Sequence, residues 1–102
     1  MVHHVYFTLR EDTEAARAAL VVACHTSLAG LPGITYFSAG TRDETIEGPA
    51  NDREFDVALL VVFENRAALD HYQKSPEHVA FVEAQRPNWQ TVRVFDARES
   101  PR

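Results

Sequence analysis

A tyrosine and a histidine that could share acid–base chemistry stand on either side of a helix break. Tyr72 precedes the pair Ser75-Pro76, and His78 follows it. Serine is a preferred helix N-cap and proline is favoured at the first helical position, so we expect a helix to begin at Pro76. His78 then lies in the first turn, where the helix dipole disfavours an imidazolium. Because a neutral imidazole suits a general base, His78 is the candidate base and Tyr72 its neighbour.

The same two residues also have a purely structural interpretation. His78 could be a half-exposed residue at a helix start, hydrogen-bonded to a loop carbonyl. Tyr72 could be a core tyrosine whose hydroxyl is satisfied. The spacing alone leaves both interpretations open.

A third candidate lies on the first strand. Residues 2–9 alternate between apolar and polar side chains, the period of a β-strand. His4 and Tyr6 share one face of this strand, and we expect that face to meet the helices and the pocket. Asp96, near the end of the last strand, is expected to hydrogen-bond His4 and fix its tautomer.

Apolar side chains of the helices and strands are expected to form the rest of the pocket wall. Their alternative role is simply to fill the space between sheet and helices, as close packing requires. These side chains are Leu20, Cys24, Leu59, Phe81, Trp89, Val92 and Val94.

Composition narrows the classes of function. The chain has 102 residues with a net charge of -5, which disfavours nucleic acid and anionic membrane surfaces as partners. Cys24 is the only cysteine, so an intramolecular disulfide is excluded and a reducing, cytoplasmic setting is expected. Phosphate-binding loops are absent, and the five histidines lack the spacing of a metal site. We therefore expect no metal and no cofactor.

The patterns predict one domain over residues 1–102, with its core at about residues 3–96. The element order is βαββαβ, which is the order of a ferredoxin-like α+β sandwich with an antiparallel sheet. A charged segment, residues 41–54, is the longest loop and a candidate lid. The predicted elements are strands at 2–9, 34–39, 55–63 and from about 89, a helix ending at Gly30, a helix capped by Asn65, and a helix from Pro76 that stops before Pro87.

The third strand predicts a partner. Residues 55–63 are apolar on both faces of the strand. The predicted helical segments can cover only one face of the sheet. The second face therefore needs a cover, and we expect a second copy of the chain to provide it.

Several segments together resemble the stress-responsive dimeric α/β barrel family, over residues 3–96. They are His-Val-Tyr-Phe-Thr-Leu near the N-terminus, Leu-Pro-Gly-Ile after the first helix, Phe-Asp-Val-Ala-Leu on the third strand, and the run Ala-Leu-Asp-His-Tyr-Gln-Lys-Ser-Pro-Glu-His-Val-Ala-Phe. The last run carries Tyr72, Pro76, His78 and Phe81. The resemblance implies a ferredoxin-like subunit whose sheet packs against that of a second subunit.

The resemblance also implies site residues. In the branch of the family that cyclises plant polyketides, a histidine and a tyrosine matching His78 and Tyr72 serve catalysis, with the histidine as general base. A strand-one histidine matching His4 lines the same pocket. The first helix departs from that branch, because Leu20 and Cys24 replace larger aromatic residues, which changes the shape of the pocket.

These observations leave several functions open. The first is a homodimer that holds a small apolar or aromatic acid between sheet and helices without turnover. The second is a cofactor-free, cyclase-like lyase that uses His78 and Tyr72. The third is a module that only assembles. A cofactor-free monooxygenase-like barrel enzyme is a further alternative implied by related barrels.

Overall fold

A computed structural model of the chain describes residues 1–101. Four strands and three α-helices follow one another in the predicted βαββαβ order, with the second helical segment divided into two helices. The elements are β1 (Val2–Leu9), α1 (Glu14–Leu28), β2 (Ile34–Thr41), β3 (Val57–Phe63), α2 (Arg66–Lys74), α3 (Pro76–Gln85), a short 3₁₀ turn (Arg86–Asn88) and β4 (Trp89–Ala97).

The strands form one antiparallel sheet in the order β2-β3-β1-β4. The helices cover one face of it, and the buried side chains of β1 and β3 point into this layer. This is the predicted ferredoxin-like α+β fold. The strands at the centre, β1 and β3, therefore carry the side chains best placed for a site under the helices.

Side-chain caps start all three helices, and the caps at Asn65 and Ser75 are those that the sequence predicts. The hydroxyl of Thr13 accepts a hydrogen bond from the amide of Ala16, and the side-chain oxygen of Asn65 accepts one from the amide of Ala68. Ser75 closes α2 and opens α3: its Oγ donates to the carbonyl of Tyr72 and accepts from the amide of His78. The predicted break is thus a single serine that satisfies both helix ends.

The third strand begins later than the pattern predicts, at Val57 instead of Phe55. Asp56 explains the difference, because its buried carboxylate accepts a hydrogen bond from the amide of Leu9 at 2.7 Å. Its own amide donates to the carbonyl of Phe7. These bonds fasten the loop to the end of β1 before regular strand pairing starts.

The other face of the sheet carries no element of the described chain. Tyr36 and Phe95 on this face are 57% and 52% exposed, and between them lie the half-buried side chains of Leu60 and Val62. We call this surface the open face. Within residues 1–101, no helix is long and apolar enough to cross a membrane.

Candidate functional site

A cavity of about 140 Å³ lies between the sheet and the helices. Its walls are mostly apolar, and the rings of His3, Tyr72 and His78 gather at the end near the start of β1. It is open along the edge strand β4, where Val92 and Val94 are 38% and 48% exposed. The lining residues are His3, Val5, Phe7, Leu28, Leu59, Tyr72, Gln73, His78, Phe81, Val82, Trp89, Val92 and Val94.

The helix break brings His78 and Tyr72 together, as predicted. Their ring centroids are 4.8 Å apart, with His78 in the first turn of α3. The pKa of His78 is lowered from its ordinary value, first because burial penalises the imidazolium and then because His3 is nearby. His78 is therefore neutral near pH 7 and able to accept a proton.

Tyr72 is 1% exposed and forms the centre of an aromatic cluster. Its ring lies 4.9 Å from the ring of Phe63 and 6.1 Å from that of His3, in edge-on arrangements. Among the described residues, no group forms a hydrogen bond with its hydroxyl. Burial raises the pKa of Tyr72, so the phenol stays protonated and can only act as a donor or a neutral acceptor.

The strand-one histidine in this cavity is His3. It is 3% exposed, and its Nδ1 lies 2.5 Å from Oδ1 of Asp96 on β4. A carboxylate accepts, so Nδ1 carries the hydrogen and a neutral His3 leaves Nε2 without one. Asp96 therefore contacts a strand-one histidine, but the histidine is His3 and not the expected His4.

His4 and Tyr6 lie on the open face, which corrects the expectation that they face the helices. His4 donates from Nδ1 to the carbonyl oxygen of Phe95 at 2.9 Å. The Tyr6 ring lies 5.2 Å from the ring of Phe55 and 5.9 Å from that of Phe95. Both line a separate, open depression outside the helical layer. The period-2 pattern correctly predicts that His4 and Tyr6 share one face of β1. The expectation that this face meets the helices was wrong.

The walls agree with the prediction in part. Leu59, Phe81, Trp89, Val92 and Val94 line the cavity. Leu20 and Cys24 do not line it, because both are packed into the core beneath α1. Burial raises the pKa of the Cys24 thiol to about 12, so it stays protonated and unreactive.

Sequence reasoning missed His3, Val5 and Phe7 as lining residues. The signal was present, because His3 continues the apolar alternation of Val5, Phe7 and Leu9 on β1. Leu28, Gln73 and Val82 were also missed, and no comparable pattern identifies them.

The predicted lid does not approach the cavity. None of residues 41–54 lines it. The segment instead fastens to the sheet end, where Asp52 forms an ion pair with Arg93 at 3.0 Å and the Glu54 carbonyl accepts from Thr8. Across residues 1–101, no three histidine, cysteine or acidic side chains converge as metal ligands.

The fold and the cavity define the class of protein: a ferredoxin-like α+β domain with a histidine–tyrosine pocket between sheet and helices. Residues 1–99 match the model of the stress-responsive A/B barrel domain, and the chain belongs to that family. No curated protein matches the sequence.

Solved structures share the fold over nearly the whole chain. A family member with a ferredoxin-like fold from Mesorhizobium loti is 24% identical, with a TM-score of 0.81 and coverage of 98% of this chain and 96% of that one. A dimeric ferredoxin-like protein of unknown function from Thermobifida fusca is 17% identical, with a TM-score of 0.75 and coverage of 92% and 85%. A hydroxynitrile lyase from Passiflora edulis is 17% identical, with a TM-score of 0.73 and coverage of 98% and 95%.

Proposed function

We propose that this protein binds a small carbonyl compound in the cavity and moves a proton on its carbon skeleton through His78. The observation that carries the proposal is the contact between the neutral His78 imidazole and the ring of Tyr72, whose buried hydroxyl has no hydrogen-bond partner within residues 1–101. A base and a hydrogen-bond donor then serve the same pocket.

His78 takes the proton in this scheme. Its unprotonated ring nitrogen accepts a proton from the carbon next to the carbonyl group, and the electron pair of the broken C–H bond moves into an enolate. The charge develops on the carbonyl oxygen. Return of a proton from the imidazolium to carbon restores the ketone and the neutral base.

Tyr72 stabilises the enolate. Its phenol stays protonated at neutral pH because burial raises its pKa, so it can donate a hydrogen bond to the oxygen that becomes negative. His3 supplies a second acceptor through Nε2, with Asp96 fixing that tautomer. No metal or cofactor enters these steps.

The size of the cavity limits the ligand. A space of about 140 Å³ suits a single aromatic ring or a short chain, since cavities of about 150 Å³ accept benzene. The apolar walls favour such ligands, including small aromatic acids. A solved structure with the same fold is a hydroxynitrile lyase, which supports an enzymatic use of this fold.

Exchange of hydrogen for deuterium tests the proposal without a known substrate. Phenylacetone carries acidic protons between a ring and a carbonyl group, and proton NMR follows their loss in D2O. We expect the protein to accelerate this loss and His78→Ala to reduce the acceleration by about a hundredfold or more. His71→Ala, an exposed histidine on α2, is the control and should leave the rate unchanged.

Two outcomes would contradict proton transfer. Equal rates in the protein and in His78→Ala would remove His78 from the role of base. Binding of phenylacetone, measured by calorimetry, without any acceleration would support the second candidate, a ligand-binding protein without turnover.

We further propose that the protein is a homodimer in which a second copy covers the open face. This surface combines exposed aromatic side chains with the half-buried Leu60 and Val62, and monomeric proteins rarely expose such a patch. The description of the Thermobifida fusca protein as dimeric supports the same arrangement.

Sedimentation at micromolar concentration tests the dimer. We expect Leu60→Glu to dissociate it, because the charge would be buried in the centre of the interface. Val22→Glu, on the outer surface of α1 where Val22 is 62% exposed, is the control and should stay dimeric. A monomeric wild-type protein, or a Leu60→Glu dimer of undiminished stability, would contradict the proposal.

A further inference from the structure

Two of the buried polar side-chain atoms without a hydrogen-bond partner belong to the same cavity. In the described chain, three such atoms occur: Nε of Arg42, the hydroxyl of Tyr72 and Nε1 of Trp89. The last two lie on residues that line the cavity. Both are shielded from solvent, so bulk water cannot supply the missing hydrogen bonds. A buried donor left without an acceptor destabilises a protein. Each of these two groups can therefore still gain a hydrogen bond from an acceptor that binds in the cavity.

The rings that carry the two donors lie at different ends of the cavity. The Tyr72 ring packs on His3, near the start of β1. The indole of Trp89 packs on Phe7 at 4.9 Å and on Phe81 at 6.1 Å. His3 and Phe7 are four residues apart on the strand, which is roughly 13 Å at the usual rise per residue. The indole is therefore the polar group of the end remote from the Tyr72 and His3 pair.

The chemistry of the indole sets what it can bind. Its N–H only donates, so it needs an acceptor such as a carbonyl, ether or carboxylate oxygen. The cavity is open along β4 beside Val92, which pairs with Phe7, so a ligand can enter next to the indole. An apolar ligand end would leave the N–H unpaired, whereas an acceptor would satisfy it.

We propose that Trp89 Nε1 is a second polar anchor of the cavity and selects ligands with a hydrogen-bond acceptor on the end remote from His78. This inference rests on the proposed function, because it requires that the cavity holds a ligand. It adds the substrate class: a single ring or short chain with polar groups at both ends and an apolar middle. Trp89 is thus a specificity-determining residue and not a member of the proton-transfer pair.

Two matched phenols test the proposal. 4-Hydroxyacetophenone carries a carbonyl oxygen opposite its hydroxyl group, and 4-isopropylphenol has a methyl group in that place with the same number of non-hydrogen atoms. Calorimetry should give about fivefold tighter binding of the ketone, the effect of one net hydrogen bond. Trp89→Phe keeps an aromatic ring against Phe7 but lacks the N–H, and should bind both phenols equally. His71→Ala, which lies outside this cavity, is the control and should keep the preference for the ketone. Loss of the preference in Tyr72→Phe would assign the carbonyl oxygen to Tyr72 and overturn the anchor.

A second readout observes the indole directly. The chain has one tryptophan, so its NMR spectrum contains a single indole N–H signal. The ketone should move this proton signal downfield, and 4-isopropylphenol should not. Equal affinities with an unmoved indole signal would overturn the anchor while leaving the pocket as a ligand site. Failure of both phenols to bind would overturn the anchor and the proposed function together.

Discussion

The carboxylate of Asp96 holds the imidazole of His3 across the neighbouring strands β4 and β1, with 2.5 Å between Oδ1 and Nδ1. His3 is almost fully buried, whereas the Asp96 side chain is 37% exposed at the sheet edge. The bond connects the edge of the sheet to the polar end of the cavity. It leaves Nε2 as the ring nitrogen of His3 that is free to bind another group.

We expect Asp96→Asn to change the tautomer of His3. An amide can donate to Nδ1, which would move the hydrogen of His3 to Nε2. Nitrogen NMR of the imidazole should report the change, and deuterium exchange of phenylacetone should slow by at least about tenfold. Asp70→Asn, which alters a surface ion pair with Arg66, is the control. An unchanged His3 spectrum would show that Asp96 does not select the tautomer.

We expect Tyr72→Phe to stabilise the fold while weakening the proposed chemistry. The substitution removes a buried hydroxyl that has no hydrogen-bond partner among the described residues and keeps the ring packed on Phe63. The free energy of unfolding should rise by up to about 1 kcal/mol. Urea unfolding measures it, with the exposed Tyr36→Phe as the control. A clear loss of stability would mean that the hydroxyl forms a hydrogen bond in solution.

We expect His78 to make stability depend on pH. Its pKa in the folded protein lies below the ordinary value, so the unfolded chain binds the proton more readily. The contribution of His78 to the free energy of unfolding is therefore full above about pH 6.5, and it is lost as the pH falls through the pKa of His78 in the folded protein. Urea unfolding at about pH 7.5 and about pH 5 should show a smaller loss for His78→Gln than for the wild type. His71→Gln should behave as the wild type, and an equal loss in all three proteins would refute the dependence.

We expect Gly33→Ala to destabilise the turn between α1 and β2. Gly33 has a φ of +85°, and an added Cβ would stand 2.6 Å from the Cβ of Ala68 on α2. Strain and overlap together should lower the free energy of unfolding by about 1–3 kcal/mol. Gly30→Ala is the matched control: nothing lies within 4 Å of its added Cβ, so thermal unfolding should change little. Similar melting temperatures for the two variants would contradict this account.

Helix capping and strand alternation predicted part of the candidate site from the sequence. Ser75 and Pro76 determine a helix break because capping and the fixed φ of proline act within a few residues. That break alone brings His78 to the first turn of α3 and near Tyr72. The alternation of β1 likewise groups His3 with Val5 and His4 with Tyr6, because successive side chains of a strand point to opposite faces.

Only the tertiary structure decided which of these groups meets the helices. Both His3 and His4 belong to regular alternation, but the covered face depends on how α1, α2 and α3 pack over the sheet. Those contacts join residues far apart in the chain, as Asp96 and His3 do, and no local pattern encodes them. The packing of the helices also determines that Leu20 and Cys24 are buried in the core. It likewise buries the indole N–H of Trp89 without a hydrogen-bond partner among the described residues. Capping and alternation are short-range effects, whereas burial is a property of the whole packed layer.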